Sequence, residues 1–129
     1  MIKKKIINHK DKRGYILDIF VNDPKDHCTI VTFNKNSIRG NHFHKKSKQY
    51  SFILDGKLTM YVSKVDKSGI IKNKVIKKIV KKNNLIVHKP FEAHAFKALT
   101  KSKILAFSDG LRGGKNYEKD TFRLVNKLI

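Results

Sequence analysis

The chain has 129 residues, 40% hydrophobic, 9% aromatic and 31% charged, which fits one globular domain and excludes a disordered chain. Thirty Lys and Arg against ten Asp and Glu give a net charge of +20, a field that draws polyanions and phosphorylated ligands. No apolar run approaches the roughly 20 residues of a membrane-spanning helix, no apolar segment of a secretory signal follows the basic start, and the lone Cys28 excludes an intrachain disulfide, so a cytoplasmic, reducing location is expected.

The apolar pattern has period two, which predicts strands. Isoleucines on the basic segment 3–7 predict an edge strand that adds to the sheet of a second copy, giving a two-fold homodimer. Strands are predicted over 15–20 and 28–33. Residues 50–54 and 58–62 flank Asp55-Gly56, a strong hairpin signal. A turn follows at Asp66-Lys67-Ser68-Gly69. Residues 75–80 suit strand or helix and are taken as strand. Segments 85–87, 95–99, 103–107 and 122–125 complete the set. About ten short strands at regular spacing predict an all-β sandwich or barrel in one domain over residues 1–129.

The charge does not by itself identify a nucleic-acid binder. Twenty-six of the basic residues are Lys and only four are Arg, the residue that supplies bidentate phosphate and base contacts. The lysines spread along the whole chain, as solvated strand faces require. Nucleic acid is therefore not the expected partner.

The chemistry-bearing segment is Arg39-Gly40-Asn41-His42-Phe43-His44-Lys45-Lys46-Ser47-Lys48-Gln49. Residues two apart on a strand share a face, so His42 and His44 point together and Phe43 points away. His94 arrives at the mouth of a later strand. Three imidazoles around an open position can hold zinc, iron or nickel, with Gln49 as a weak, neutral fourth ligand. A His-x-His pair alone is also common by chance. His9 and His88 read as ordinary surface or strand residues, and Cys28 as a buried strand cysteine. Asp11 and Arg13 read first as a turn pair. The loop from Gly110 through Arg112-Gly113-Gly114 lacks the following helix that a phosphate cradle needs.

His42-Phe43-His44, four residues, Gln49, six residues, Gly56 resembles the first cupin motif, with Gln49 for the usual Glu and Asn36 for a leading Gly. Pro90 and His94 resemble the second motif, one residue closer than usual and with Glu92 for its Gly. The resemblance implies a double-stranded β-helix, the cupin jelly-roll barrel, with the site in its mouth. Asp11-Lys12-Arg13-Gly14-Tyr15, Arg39-Gly40 before the histidines, and the closing 117–123 segment resemble three cupin groups. These are dTDP-4-dehydrorhamnose 3,5-epimerases, dTDP-sugar 3,4-ketoisomerases and the C-terminal cupin domain of capsular polysaccharide epimerase-reductases. They imply an isomerase or epimerase on a nucleotide-linked keto sugar in surface-polysaccharide synthesis. In that reading His42 is base or proton shuttle, His44 polarises the keto oxygen, and Arg39, Lys45 and Gln49 contact substrate. Tyr50 or Tyr61 would supply a phenol. The alternative is a metal-binding barrel of other or no reactivity.

Overall fold

The computed structural model describes residues 1–110, 114–116 and 118–129. Arg112, Gly113 and Tyr117, singled out in the sequence, lie outside the described residues. The strands in chain order are β1 (Ile2–Lys4), β2 (His9–Asp11), β3 (Gly14–Ile16), β4 (His27–Phe33), β5 (Ile38–Phe43) and β6 (Lys48–Asp55). They continue with β7 (Lys57–Lys64), β8 (Ile76–Lys81), β9 (Asn84–His88), β10 (Glu92–Ala98), β11 (Ser102–Asp109) and β12 (Phe122–Arg123), with a 3-10 turn at Gly114–Asn116. No helix among the described residues is long and apolar enough to cross a membrane.

Two five-stranded antiparallel sheets, ordered β1-β9-β6-β11-β4 and β12-β5-β10-β7-β8, form the jelly roll, and β2-β3 stands apart as a hairpin. Period-two alternation sends one side chain set of each sheet inward. Phe33, Ile53, Ile86 and Ile104 of the first sheet meet Leu58, Met60, Val80 and Phe96 of the second in one core cluster. Burial at this level is worth about 1.5–3 kcal/mol per large apolar side chain. At the β6–β7 turn Gly56 has φ +89°, and a Cβ there would strike the Ser102 hydroxyl and the Lys101 carbonyl, so only glycine serves. Asn36, in place of the glycine of the resembled motif, sits at φ +68°, a conformation asparagine tolerates.

Two expectations change. Only Tyr15 and Ile16 of the segment 15–20 lie in a strand, paired with β2. Beyond it Phe20 packs edge-on against Tyr50 and Phe107, with centroids 5.3 and 4.9 Å away. The apolar residues of this stretch cover a sheet face and do not extend a ladder. The basic N-terminal strand pairs on its inner side with β9 of its own chain, Ile2 opposite Ile86 and Lys4 opposite Asn84, and forms the end of that sheet. Cys28 is exposed. The alternation of β4 turns His27, Thr29 and Val31 toward the interior cavity, which sends Cys28 and Ile30 outward. Residues 76–81 do form a strand, an edge whose exposed lysines discourage further pairing.

Candidate active site

The site begins with a distortion of β5. Gly40 and Asn41 have φ of +105° and +57°, and the β5–β10 register slips between His94 opposite His42 and Ala95 opposite Gly40. This bulge re-aims His42 toward β10. A Cβ on Gly40 would lie 2.6 Å from the His94 carbonyl oxygen and 2.9 Å from the Ala95 Cα. Gly40→Ala should therefore push β5 off β10. The strained backbone alone costs on the order of 1–3 kcal/mol, readable as a lower midpoint in denaturant unfolding.

The bulge brings His42, His44 and His94 together, with candidate ligand atoms all within 4.8 Å of one another. These three histidines could form a metal site. Their hydrogen bonds define how the protons sit. The Arg123 guanidinium lies 3.2 Å from His42 Nδ1, and arginine can only donate. His42 Nδ1 therefore accepts, and its proton is on Nε2. That Nε2–H faces His94 Nε2 at 3.1 Å, and His94 Nδ1 faces the Glu92 carbonyl at 3.4 Å. Protons are thus ordered along Arg123, His42, His94 and the Glu92 carbonyl. Burial first, then the nearby rings of His88, His42 and His44, hold His94 well below the usual imidazole value, so its ring is neutral at physiological pH.

His44 is fixed from behind. Its Nδ1–H donates to the Asp120 carbonyl at 2.7 Å. Its Nε2 lies 3.1 Å from Gln49 Oε1, and Gln49 Nε2 donates to Ser51 Oγ at 3.1 Å. His44 Nε2 and the Gln49 carboxamide share one hydrogen bond, and the orientation of the carboxamide sets which of the two donates. The Asp120 carboxylate accepts the backbone N–H groups of Lys45, Lys46 and Ser47 at 2.9, 3.1 and 2.6 Å. That cage holds the chain immediately after His44. Burial pushes the Asp120 carboxyl upward, but these amides and the Ser47 hydroxyl outweigh it and hold the value below the ordinary 3.8.

The cluster opens into a cavity of about 690 Å³ between the sheets, within the usual size range for small-molecule sites. Its polar end carries His42, His94, Gln49 and Ser51, and its walls include Phe33, Phe96 and Ile104. Arg39, Arg123 and Lys127 also line it, and no described lining side chain is a carboxylic acid. The cavity therefore favours an anionic ligand. Asn41 ties the C-terminal segment beside it: Oδ1 accepts from the Leu128 amide at 2.9 Å and Nδ2 donates to the Ile129 carbonyl at 3.2 Å.

Of the residues the sequence singles out, His42, His94, Gln49 and Arg39 line the cavity. Arg39 is exposed and donates to the Thr32 carbonyl at 3.0 Å. His44 stands one layer behind, linked to the cavity through Gln49. Lys45 is turned away, its Nζ 4.1 Å over the Phe122 ring. Neither tyrosine lines the cavity. Tyr50 donates to Asp109 at 3.0 Å, and Lys77 caps Tyr61 at 5.7 Å. Asp11 and Arg13 are a turn pair: the guanidinium, helped by His9, pulls the Asp11 carboxyl down to about 2. His88 is not an ordinary strand residue. It is fully buried, its ring stacks on His94 at 4.1 Å, its Nδ1 lies 3.7 Å from the Glu92 carboxylate, and among the described residues neither ring nitrogen has a partner within hydrogen-bond distance. Cross-strand register puts it in one inward row with His27, Ser108 and Gln49. Arg123 and Asp120 carry no role in the sequence reading, because each acts on histidines more than 70 residues away.

A two-sheet jelly roll with a histidine cluster at the mouth of its cavity is a cupin-type barrel. The chain belongs to the cupin family, whose family model matches residues 22–124. Among solved structures it is similar to the dTDP-4-dehydrorhamnose 3,5-epimerase of Sulfolobus tokodaii, with TM-score 0.71 and 21% identity over 86% of this chain and 69% of that one. It is also similar to a sugar 3,4-ketoisomerase of Thermoanaerobacterium thermosaccharolyticum in complex with TDP, with TM-score 0.77 and 17% identity over 97% and 88%. A third, the capsular polysaccharide assembling protein CapF of Staphylococcus aureus, has TM-score 0.66 and 17% identity over 93% of this chain but 32% of that one. At these identities the likeness shows a shared fold. A comparison with curated proteins gives no match.

Proposed function

We propose that this cupin isomerises or epimerises a nucleotide-linked keto sugar in surface-polysaccharide synthesis, by histidine-mediated proton transfer beside the keto group. The observation that carries the proposal is the cavity itself. A neutral imidazole chain faces one end, and arginine and lysine line it without an acidic side chain among the described residues. Such a cavity suits a ligand with a polar ring and a diphosphate. Two likenesses support the same class: the ketoisomerase has been solved with TDP, and a variant of it with TDP-4-keto-6-deoxyglucose.

His42 is the base in this reading. The C–H bond beside the keto carbon breaks, its proton passes to His42 Nδ1, and its electron pair moves onto the keto oxygen. Returning a proton to the opposite face of the same carbon gives the epimer. Returning it to the former carbonyl carbon, with hydroxyl and carbonyl exchanged through an enediol, gives the isomer. Arg123 leaves Nδ1 as it turns to the ligand's diphosphate, joined by Arg39. His42 Nε2–H leads to His94, which spreads the incoming charge. Gln49 and Ser51 are the neutral polar groups facing the sugar, with His44 supporting Gln49 from behind. The proposed protein is a cytoplasmic homodimer with no nucleic-acid partner.

A second reading, a metal-binding barrel without sugar chemistry, draws support from the convergence of His42, His44 and His94. One feature of the donor set weighs against it: Gln49, where a carboxylate ligand would stand, supplies no charge. The three histidines could hold a divalent ion, and the proposed reaction uses none. Incubating the protein with a nucleotide-linked 4-keto-6-deoxy sugar and following the sugar by NMR tests the proposal. A new keto sugar or epimer supports it, and an unchanged sugar across thymidine- and uridine-linked substrates refutes it.

A further inference from the structure

We propose that His27 is the second proton carrier of the reaction, working from the sheet opposite His42, and that the product is therefore the epimer. This deepens the keto-sugar reading and rests on it. Moving a proton from one face of a carbon to the other takes two groups, one on each side, and His42 is one of them. Neither tyrosine considered for the role lines the cavity, so neither phenol supplies the second. His27 does line it, and imidazole is the side chain that gives and takes protons near neutral pH. Among the described lining residues it is the one histidine that the first sheet contributes, whereas His42 and His94 come from the second. The cavity lies between the sheets, so a ring held in it presents one face to each.

Register puts His27 at the level of the reaction. Ser108 pairs with His27 on one side and with Gln49 on the other, and Gln49 pairs with His88. That row meets the cluster of the second sheet where His88 stacks on His94 at 4.1 Å. Deeper along the same strands the inward row is apolar, with Ile104 between Val31 and Ile53. Beside His27, the Ser108 hydroxyl is 1% exposed, lines the cavity, and has no hydrogen-bond partner among the described residues. A buried, unpaired hydroxyl costs stability, and a sugar hydroxyl would supply the partner it lacks. In the reaction His42 removes the proton beside the keto carbon, and the C–H electron pair moves onto the keto oxygen. His27, carrying a proton taken from solvent, delivers it to the same carbon from the opposite face as the pair returns from oxygen. Both rings reset by proton exchange with water.

Following a nucleotide-linked 4-keto-6-deoxy sugar by ¹H NMR in D₂O tests the assignment. With the wild type the epimer should accumulate, deuterated at the inverted carbon. His27→Gln should slow epimer formation by about 10²–10⁴-fold, the usual loss for one acid–base group. Deuterium entry into the starting sugar, with its configuration retained, should fall far less, because His42 still removes the proton. A residue that only supports the barrel would lower both together. His27→Asn serves where Gln lowers folding, which circular dichroism reads. Epimer formation at the wild-type rate in both variants, parallel loss of exchange and epimerisation, or a ketoisomer as the wild-type product would overturn the assignment and leave the keto-sugar reading intact. A wild type that exchanges no deuterium removes that reading and this assignment together.

Discussion

His42→Asn should lower conversion of a nucleotide-linked 4-keto sugar by about 10²–10⁴-fold in kcat, the usual loss when one general base is removed, with KM little changed. The argument is positional. His42 lines the cavity, lies at the β5 bulge, and is the histidine whose Nδ1 meets a group that a ligand phosphate can attract. Asparagine is polar and smaller, so the barrel should stay folded, as circular dichroism and thermal unfolding will show. His44→Asn should act differently. That ring is 1% exposed and holds Gln49 and the Asp120 carbonyl. Its loss should cost stability as well as rate. Equal rates for His42→Asn and wild type would remove His42 from the chemistry.

Asp120→Ala should destabilise the fold by about 3–5 kcal/mol, because three backbone N–H groups lose their acceptor at once and each unmatched buried donor costs about 1–3 kcal/mol. The cage spans 73–75 residues of chain, from Lys45 to Ser47, so its loss also frees the segment that follows His44. The same carboxylate sets a pH dependence. Its folded value lies below the unfolded 3.8, so its contribution is complete above that value and is lost as the pH falls through the folded one. Asp120→Asn should flatten this acid limb. Denaturant unfolding of the three proteins from neutral to acid pH checks both expectations. A wild-type-like acid limb in Asp120→Asn would contradict the role given to the carboxylate.

Much of the barrel was legible because alternation is a local signal. Residues 28–33, 50–54 and 58–62 fall within β4, β6 and β7, and the Asp55-Gly56 turn joins the last two as expected. The same signal misleads where an apolar face has another use. Residues 17–20 alternate as a strand would, yet Phe20 lies across the Tyr50 and Phe107 rings as a cover. Cys28 was misplaced because residue type was weighed over phase. The inward positions of β4 include His27 and Thr29, which face the cavity and not the apolar core.

The histidine pair was legible because its spacing is local too, and His94 followed from the resemblance. What stayed hidden lies in cross-strand register. His88 joins the site only because β9 pairs with β6 so that it falls opposite Gln49. Arg123 reaches His42 because β12 pairs with β5, with those two residues directly opposite. No spacing within one segment encodes either meeting. The closing Asp120-Thr121-Phe122 string stood out in the sequence, but its role as an amide cage required the fold.

The central claim is that this cavity moves a proton beside a keto group. The most direct measurement is ¹H NMR of a nucleotide-linked 4-keto-6-deoxy sugar in D₂O with the wild-type protein. The account predicts that deuterium enters at the carbon next to the keto group at a rate proportional to enzyme concentration. If that hydrogen is retained on every nucleotide-linked 4-keto sugar supplied, at enzyme concentrations where binding is saturated, the claim is contradicted.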